Sequence, residues 1–565
     1  MTPTLTARLS ALAGALLLAG CGGSDSPTVE PTPAPPPAPV AEEARPHDTR
    51  VFTAQAADKY ADFETSAAGK PSFKALAGAA GETDRYTGTL DGAAYRLEVP
   101  KTWNGKLVVY AHGYAGTGAN LAVSTPALRR YWIDNGYAWA ASSYSKNYYD
   151  VRAGVEDTNK LVLNFNKITA DNGRTLAAPG KLYIVGQSMG GHITAAAIED
   201  EAYATANNKV KYHGAVPMCG VVGDTDLFNY FSAYQASAQA LSGLPNYPLT
   251  SFADINALVR ATMFTTFSSV PTAQGLKLRE VVKNLTGGER PTFVEGYANT
   301  GLQNVVWSTF TGDTTISGIL TTGVGDTTRT VFQLDNDLPL TAEEASLNAM
   351  VQRVTKPAAD GNRLRTDGLR WIPKVNGEFK IPVVTIHTLG DLYVPFSMEQ
   401  IYRNRTVAKG NGAWLVQRAI RAPSHCDFTV AEQVNAFRDM VSWAENGTKP
   451  AGDDVLTPAT VARASYGCTH TVNTGGADDN ATTVGTRAFM PACPGAWPLP
   501  GPGAARGHRP GCGWCWPWLG LPPGPPAPSI CRATGGRAGW RPRTPCRPSS
   551  GRWPSACTRW SWTSA

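Results

Sequence analysis

Residues 181–190 read Lys-Leu-Tyr-Ile-Val-Gly-Gln-Ser-Met-Gly, and this stretch constrains the fold more than any other. An apolar run stops at Gly186, one polar residue intervenes, and Ser188 follows. Gly190 and Gly191 then lead into His192-Ile-Thr-Ala-Ala-Ala-Ile198. The run predicts a buried strand, and the Ala-rich segment predicts a helix. A chain that changes from strand to helix this abruptly must turn tightly, so the neighbours of the turn must be small. Gly186 and Gly190 lack a Cβ and tolerate close backbone approach. The G-x-S-x-G spacing, with a strand before it and a helix after it, therefore lifts the hydroxyl of Ser188 clear of the sheet. The amide of Met189, in the first turn of the helix, points at any negative charge that develops beside the serine.

The segments around this turn predict an α/β fold, a mostly parallel sheet with helices on both faces. Residues 87–100 read as a hairpin with Asp91-Gly92 at its turn. Buried strands are expected at 106–112, 137–142, 182–185, 214–218, 382–387 and 414–420, and helices at 153–170 and 429–446. Residues 50–85 are Ala-rich and read as mostly helical. Between Gly223 and Lys380 the alternation breaks down into Gly/Thr-rich runs (Thr311–Arg329) and helix-like pieces at 280–285 and 341–355. An insertion of this size is expected over the carboxyl edge of the sheet, as a lid. The organisation read from the chain is an α/β core at 50–222 and 381–494, interrupted by a lid or cap at 223–380.

Three motifs now stand in order. Ser188 lies in its turn. Gly390-Asp391-Leu-Tyr-Val-Pro395 follows a buried strand. Ser424-His425-Cys426-Asp427 follows the last one. Together they resemble the α/β-hydrolase superfamily, whose serine, acid and histidine occur in that chain order, and whose serine sits on a nucleophile elbow. The resemblance spans residues 86–225 and 380–446. It implies Ser188 as nucleophile, His425 as general base and then acid, and Asp391 as the group that fixes the imidazole. His112-Gly113-Tyr114 resembles the oxyanion loop, which implies the amides of Tyr114 and Met189 as oxyanion donors. Asp224 and Asp226 remain alternative acids, because some superfamily members place the acid after the strand that follows the elbow. Of the eight histidines, His387 competes with His425 but precedes Asp391 by only four residues on the same strand end. His47 lies in the tether region, His112 in the oxyanion loop, His192 in the elbow helix and His213 at a strand start. His470 lies past the last core helix and His508 near the C-terminus. Asp427 reads as an exposed loop acid. Ser142–Tyr149 is read as lining the pocket mouth, with a loop that packs its tyrosines on the lid as the alternative. His425-Cys426 is also similar to the tannase and feruloyl-esterase group, where a cysteine beside the histidine pairs with one directly before the serine. Gln187 occupies that position here, so the group's own disulfide cannot form.

The two ends carry different information. Residues 1–21 read as a lipoprotein signal peptide whose Leu18-Ala19-Gly20-Cys21 lipobox makes Cys21 the lipidation site. Residues 22–49 form a Pro-rich tether. From 495 to 565 the chain holds eight of its 15 tryptophans and five of its 10 cysteines, with no Asp, Glu or Lys. This segment has no hydrophobic period and reads as a low-complexity tail, frameshifted or disordered. Its Cys512-Gly-Trp-Cys515 lacks a second pair at zinc spacing, so no metal is expected. Its nine arginines account for the basic balance. Without them the formal charge of +6 becomes −3, which removes any argument for nucleic acid. Four cysteines remain. Cys468–Cys493 as a local staple and Cys219–Cys426 across the rim of the active site are the favoured pairs, and the other pairings or free thiols stay open. The expectation is an exported serine carboxylic-ester hydrolase, an outer-membrane lipoprotein or extracellular, with no cofactor and an acyl-enzyme intermediate. Bulky, hydrophobic or polymeric esters, polyesters included, are its expected substrates. A peptidase or amidase on the same scaffold, and a non-catalytic surface lipoprotein, are the alternatives.

Overall fold

The computed structural model describes residues 50–66, 68–310, 325–355 and 362–494. The lipidation site Cys21, the tether 22–49, the tail 495–565 and residues 311–324 of the Gly/Thr-rich run lie outside the described residues.

Eight strands form the main sheet: β1 (Thr83–Leu90), β2 (Ala93–Pro100), β3 (Lys106–Ala111), β4 (Ala138–Ser142), β5 (Lys181–Gln187), β6 (Gly214–Met218), β7 (Val383–Thr388) and β8 (Leu415–Ile420). Across the sheet their order is β8-β7-β6-β5-β3-β4-β2-β1. β1 and β2 form an antiparallel hairpin whose turn residues, Asp91 and Gly92, both have positive φ, as a two-residue hairpin turn requires. β2 is also antiparallel to β4, and every other pairing is parallel. This strand order is that of the α/β-hydrolase fold.

Alternation along each strand divides the core in two. Leu107, Val109 and Ile184 face one layer, where they pack with Val151 and Val155 of helix α1 (Val151–Leu163) and Ile193 of helix α2 (Met189–Ala197). Val108, Val185, Val216 and Ile386 face the other layer. Helix α3 (Asp226–Leu241) opens the insertion. Helix α4 (Val430–Asn446) closes the opposite layer with Phe437 and Met440. α4 starts on a capping box, Thr429 with Glu432, and stops at Gly447 in the left-handed conformation.

The described residues of 223–380 hold six α-helices and a short antiparallel strand pair, Phe264–Thr266 with Val270–Pro271. Tyr234 of α3 meets Trp307 and Phe310 edge to face, and Phe252 meets Phe310 the same way. A separate apolar cluster joins Ala233, Val281, Phe332, Leu347 and Val351.

Two expectations need correction. Residues 50–85 are not mostly helical. They hold short strands at Thr53–Ala54, Phe63–Thr65 and Pro71–Phe73, and the start of β1. Thr53–Ala54 pairs with Asn120–Leu121, a contact remote in sequence that overrides the helical preference of the alanines. The helix expected at 153–170 is two helices that meet at Asn164, whose side-chain amide donates to the Lys160 carbonyl and so helps end α1.

Glu98, fully buried in β2, accepts from Arg129 Nε (2.7 Å), Trp139 Nε1 (2.7 Å) and Thr83 Oγ1 (2.7 Å). Removal of its carboxylate leaves Arg129 buried without its counter-ion. Glu98→Ala is therefore expected to lower the unfolding free energy by about 3–5 kcal/mol. Loss of the exposed Lys167–Asp171 pair costs under about 1 kcal/mol. Urea titrations of Glu98→Ala and Lys167→Ala check this, and equal losses would refute it.

Candidate active site

Ser188 stands at the carboxyl end of β5 with φ 58° and ψ −122°, a conformation that non-glycine residues rarely adopt. Backbone contacts on both sides hold it there. Its N–H donates to the Met218 carbonyl (3.0 Å), and its own carbonyl accepts from His192 N–H (3.1 Å). The glycines explain how the turn fits. A Cβ on Gly186 would sit 2.2 Å from the Gly190 oxygen, and one on Gly190 would sit 1.9 Å from the Ala111 oxygen. Gly191 has equally little room, with Gly220 Cα 2.5 Å from where a Cβ would be. Gly113 lies against the serine itself, since a Cβ there would be 3.2 Å from Ser188 Cβ. The His112-Gly113-Tyr114 loop thus borders Ser188. Met189 begins α2 and is buried, and the Tyr114 side chain lines the space over the serine.

Ser188, Asp391 and His425 come together although they are far apart in the chain. His425 Nε2 lies 2.8 Å from Ser188 Oγ, and His425 Nδ1 lies 2.6 Å from Asp391 Oδ2. The other Asp391 oxygen accepts from the amides of Tyr393 (2.8 Å) and Val394 (3.0 Å). An ionised carboxylate only accepts, so the imidazole proton belongs on Nδ1 and Nε2 is left to accept from the serine hydroxyl. All three residues follow carboxyl ends of parallel strands: β5, β7 and β8.

The competing residues are engaged elsewhere. Asp224 is fully buried and binds Lys374 (2.9 Å), Arg405 (2.6 Å) and the Thr225 amide. Despite the burial penalty, those two cations hold its pKa well below the carboxylate range. Asp226 pairs with Arg405. His387 is fully buried, with Nε2 2.8 Å from the Val394 carbonyl and Nδ1 3.4 Å from Glu399. Asp427 is not an exposed loop acid. It is 6% exposed and accepts from Thr486 Oγ1 (2.7 Å), and burial raises its pKa.

Cys219 and Cys426 are joined, as are Cys468 and Cys493. Met218 is the register partner of Gln187, so Cys219 is one residue beyond the position beside the elbow. The half-cystine that the tannase-like pattern would place before the serine is here just past the end of the adjoining strand, and the bridge still reaches the residue after His425.

The Ser142–Tyr149 loop has a divided role. Tyr149 faces the serine, whereas Tyr144 is buried, stacks on His112 at 4.0 Å and donates to the His112 carbonyl (2.9 Å). Tyr148 instead takes Arg50 on its ring face.

The space over Ser188 is lined by Tyr114, Tyr149, Val221, Phe228, Phe231 and Tyr393. It measures about 20 Å³, room for about one water. Three of its walls, at 227, 228 and 231, belong to α3 of the insertion. A wider cavity of about 470 Å³, lined by Arg418, Glu432, Asp439 and His470 among others, contains none of the three site residues.

Two residues beyond the sequence reading support the site. Arg290, in the insertion and 3% exposed, donates to the carbonyls of Leu389 (2.7 Å) and Gly288 (2.8 Å) and to Thr286 Oγ1 (3.1 Å). Burial pulls its pKa down to about 10, opposed by the nearby carboxylate of Asp391. The insertion also touches the acid turn through Tyr230, which donates to the Leu392 carbonyl, and through Gly296, where a Cβ would be 1.9 Å from the Gly390 oxygen. His192 is the second. It is fully buried, with Nδ1 2.8 Å from Tyr149 Oη and Nε2 2.9 Å from the Pro373 carbonyl. Because that carbonyl can only accept, Nε2 carries the proton and the tyrosine donates to Nδ1. Burial depresses the His192 pKa to about 4. No sequence pattern marks either residue, since their partners lie in other segments.

No family model matches this chain. Over 78 residues it is 31% identical to an o-phthalyl amidase of Xanthobacter agilis, a match covering 14% of this chain and 17% of that protein. The chain thus spans less than a fifth of the curated relative it matches. Among solved structures it is similar to feruloyl esterase B from Aspergillus oryzae at 14% identity and a TM-score of 0.37, covering 71% of this chain and 86% of that one. The acylaminoacyl peptidase of Pyrococcus horikoshii is another, at 11% identity and a TM-score of 0.32, covering 66% of this chain and 43% of that one.

Arg290→Met is expected to loosen the turn that carries Asp391. Displacement of a reacting group by about 1 Å costs on the order of 100-fold in rate, so kcat should fall by up to that factor with KM and near-UV circular dichroism retained. Unchanged kcat would exclude the role. The His192 pKa predicts a pH effect of definite sign. Its folded value lies below the unfolded 6.5, so its contribution is complete above pH 6.5 and is lost as pH falls toward 4. Between pH 7 and 4 the wild type should lose on the order of 3 kcal/mol more stability than His192→Gln, at about 1.4 kcal/mol per pKa unit. Parallel urea midpoints for the two proteins across that range would contradict it.

Proposed function

We propose that this protein is a serine hydrolase of carboxylic esters that works through an acyl-enzyme. The observation that carries the reading is the unbroken hydrogen-bond chain from Asp391 through His425 to Ser188, with the serine held at positive φ under an aromatic-walled space. In this reading Ser188 Oγ attacks the substrate carbonyl carbon while its proton passes to His425 Nε2. Asp391 balances the imidazolium that forms. The amides of Met189 and Tyr114 take the oxyanion. As the tetrahedral intermediate collapses, the bond to the leaving group breaks and that group receives the proton from Nε2. Water then repeats the sequence, attacks the acyl carbon and frees Ser188.

The walls supply the substrate preference. Tyr114, Tyr149, Phe228, Phe231 and Tyr393 offer ring surface with few charges, which suits flat, apolar acyl groups. The small volume means that a bulky or polymeric ester must displace the α3 residues or present only its reacting end. Export, a lipid anchor at Cys21, attachment to a membrane and action on polymeric esters remain part of the proposal on the strength of the N-terminal sequence. The short identity with an o-phthalyl amidase favours a second reading, cleavage of aryl amides by the same residues.

The experiment compares p-nitrophenyl esters of graded acyl length with benzoyl esters and the matching anilides, for the wild type and Ser188→Ala. The expected result is ester turnover with an aryl preference, lost by at least about 10⁴-fold in Ser188→Ala. Turnover of anilides alone would replace the esterase reading with the amidase one. Activity that survives in Ser188→Ala would remove both.

A further inference from the structure

The corner that holds His425 contains more ligand chemistry than acyl transfer uses. Cys219 Sγ, Cys426 Sγ and a ring nitrogen of His425 all lie within 4.8 Å of one another. Cys426 Sγ is 3.4 Å from His425 Nε2. In a tetrahedral zinc site, with Zn–S of about 2.3 Å and Zn–N of about 2.0–2.1 Å, sulfur and nitrogen ligands stand about 3.6 Å apart. Two sulfurs that share such an ion stand about 3.8 Å apart, close to the spacing of thiols in contact once their bond is broken.

We infer that reduction of the Cys219–Cys426 bridge turns this corner into a site for a thiophilic divalent metal such as Zn²⁺, ligated by both thiolates and His425 Nε2. Backbone and side-chain hydrogen bonds also hold the three ligand residues. Cys219 is fully buried and its N–H donates to the Ile386 carbonyl (2.8 Å). The Cys426 carbonyl accepts from Phe428 N–H (2.9 Å). His425 is oriented by Asp391 at Nδ1, the arrangement by which a carboxylate steadies a metal-binding imidazole and leaves Nε2 to the ion. Three protein ligands leave a fourth position open on a tetrahedral ion, and Ser188 Oγ stands 2.8 Å from Nε2.

The chemistry balances in two stages. A dithiol or phosphine reductant supplies two electrons. The S–S bond breaks, the sulfurs take up two protons, and the reductant becomes a disulfide or, with the oxygen of water, a phosphine oxide. The metal then displaces both thiol protons to solvent and takes the Nε2 lone pair. That lone pair is the one that receives the serine proton, so the occupied site is inactive. The metal site stands independently of the hydrolase reading, whereas the loss of turnover rests on it.

The test uses the full chain reduced with a phosphine and then freed of it, with Co²⁺ as a coloured probe. Reduced wild type is expected to show one equivalent more thiolate-to-cobalt charge-transfer absorption than reduced Cys219→Ser/Cys426→Ser, a difference that subtracts every other cysteine. Reduced enzyme should also lose more than 10-fold of its ester turnover at micromolar Zn²⁺ and regain it with EDTA, while oxidised enzyme is unaffected. No cobalt difference, equal zinc inhibition of the oxidised form, or loss of near-UV circular dichroism on reduction before metal is added would each overturn the proposal. A cobalt difference without ester turnover in any state would keep the metal site and discard the hydrolase reading.

Discussion

Everything at this site depends on the crossing of backbones under Ser188. The Gly190 α-carbon passes so near the Ala111 carbonyl, and Gly186 so near the Gly190 carbonyl, that neither position has space for a methyl group. This contact fixes the angle between β5 and α2 and holds Ser188 at a φ of 58°. A serine in that conformation costs on the order of 1–3 kcal/mol. Its backbone bonds offset it, because Ser188 bonds to strand β6 through its N–H and to helix α2 through its carbonyl. The hydroxyl is therefore aimed by packing that lies beneath it, and no flexible side chain has to hold it.

The parts of the site legible in the sequence were those whose meaning is local. A strand, two glycines and a serine define a turn whatever surrounds them. Asp391 and His425 are placed by the resemblance to the α/β-hydrolase superfamily, each after a run that reads as a buried strand, and parallel strands deliver their loops to one edge. What was not legible depends on contacts across the chain. Arg290 is an ordinary arginine until the insertion folds back and sets it under the Leu389 carbonyl. His192 reads as a polar residue in an Ala-rich helix, and only Tyr149 and Pro373 make it a buried neutral imidazole. Residues 50–85 misled for the same reason: alanine content favours a helix, but the backbone found strand partners instead. Asp427 misled because an acid in a loop is ordinarily solvated, and here Thr486 and Arg487 enclose that loop.

The insertion is consequently part of the site as much as a cover. α3 supplies apolar walls over Ser188, and Tyr230 of the same helix anchors the Leu392 carbonyl two residues from the pocket's Val394. One helix thus shapes the space over Ser188 and steadies the turn that presents Asp391. A movement of α3 that enlarges a cavity of about 20 Å³ must also disturb that turn. The width of the space over Ser188 and the alignment of Asp391 are coupled through a single packed element.

The disulfide completes the same logic from the other side. Asp391 fixes the His425 ring through Nδ1, but a ring is only as well placed as its backbone, and His425 lies in a loop after the last strand. Cys426 bonds that loop to Cys219 at the end of β6, the strand whose Met218 carbonyl also holds the Ser188 amide. Ser188 and His425 are in this way referred to one strand, the serine by a hydrogen bond and the histidine by a covalent one. In the tannase-like pattern the bridge reaches the residue before the serine. Moving its partner to β6 keeps the histidine tied to the serine's immediate support and leaves Gln187 free to bond Gln433 of α4. The arrangement that aligns His425 is therefore also the one that gathers two sulfurs and an imidazole at one point.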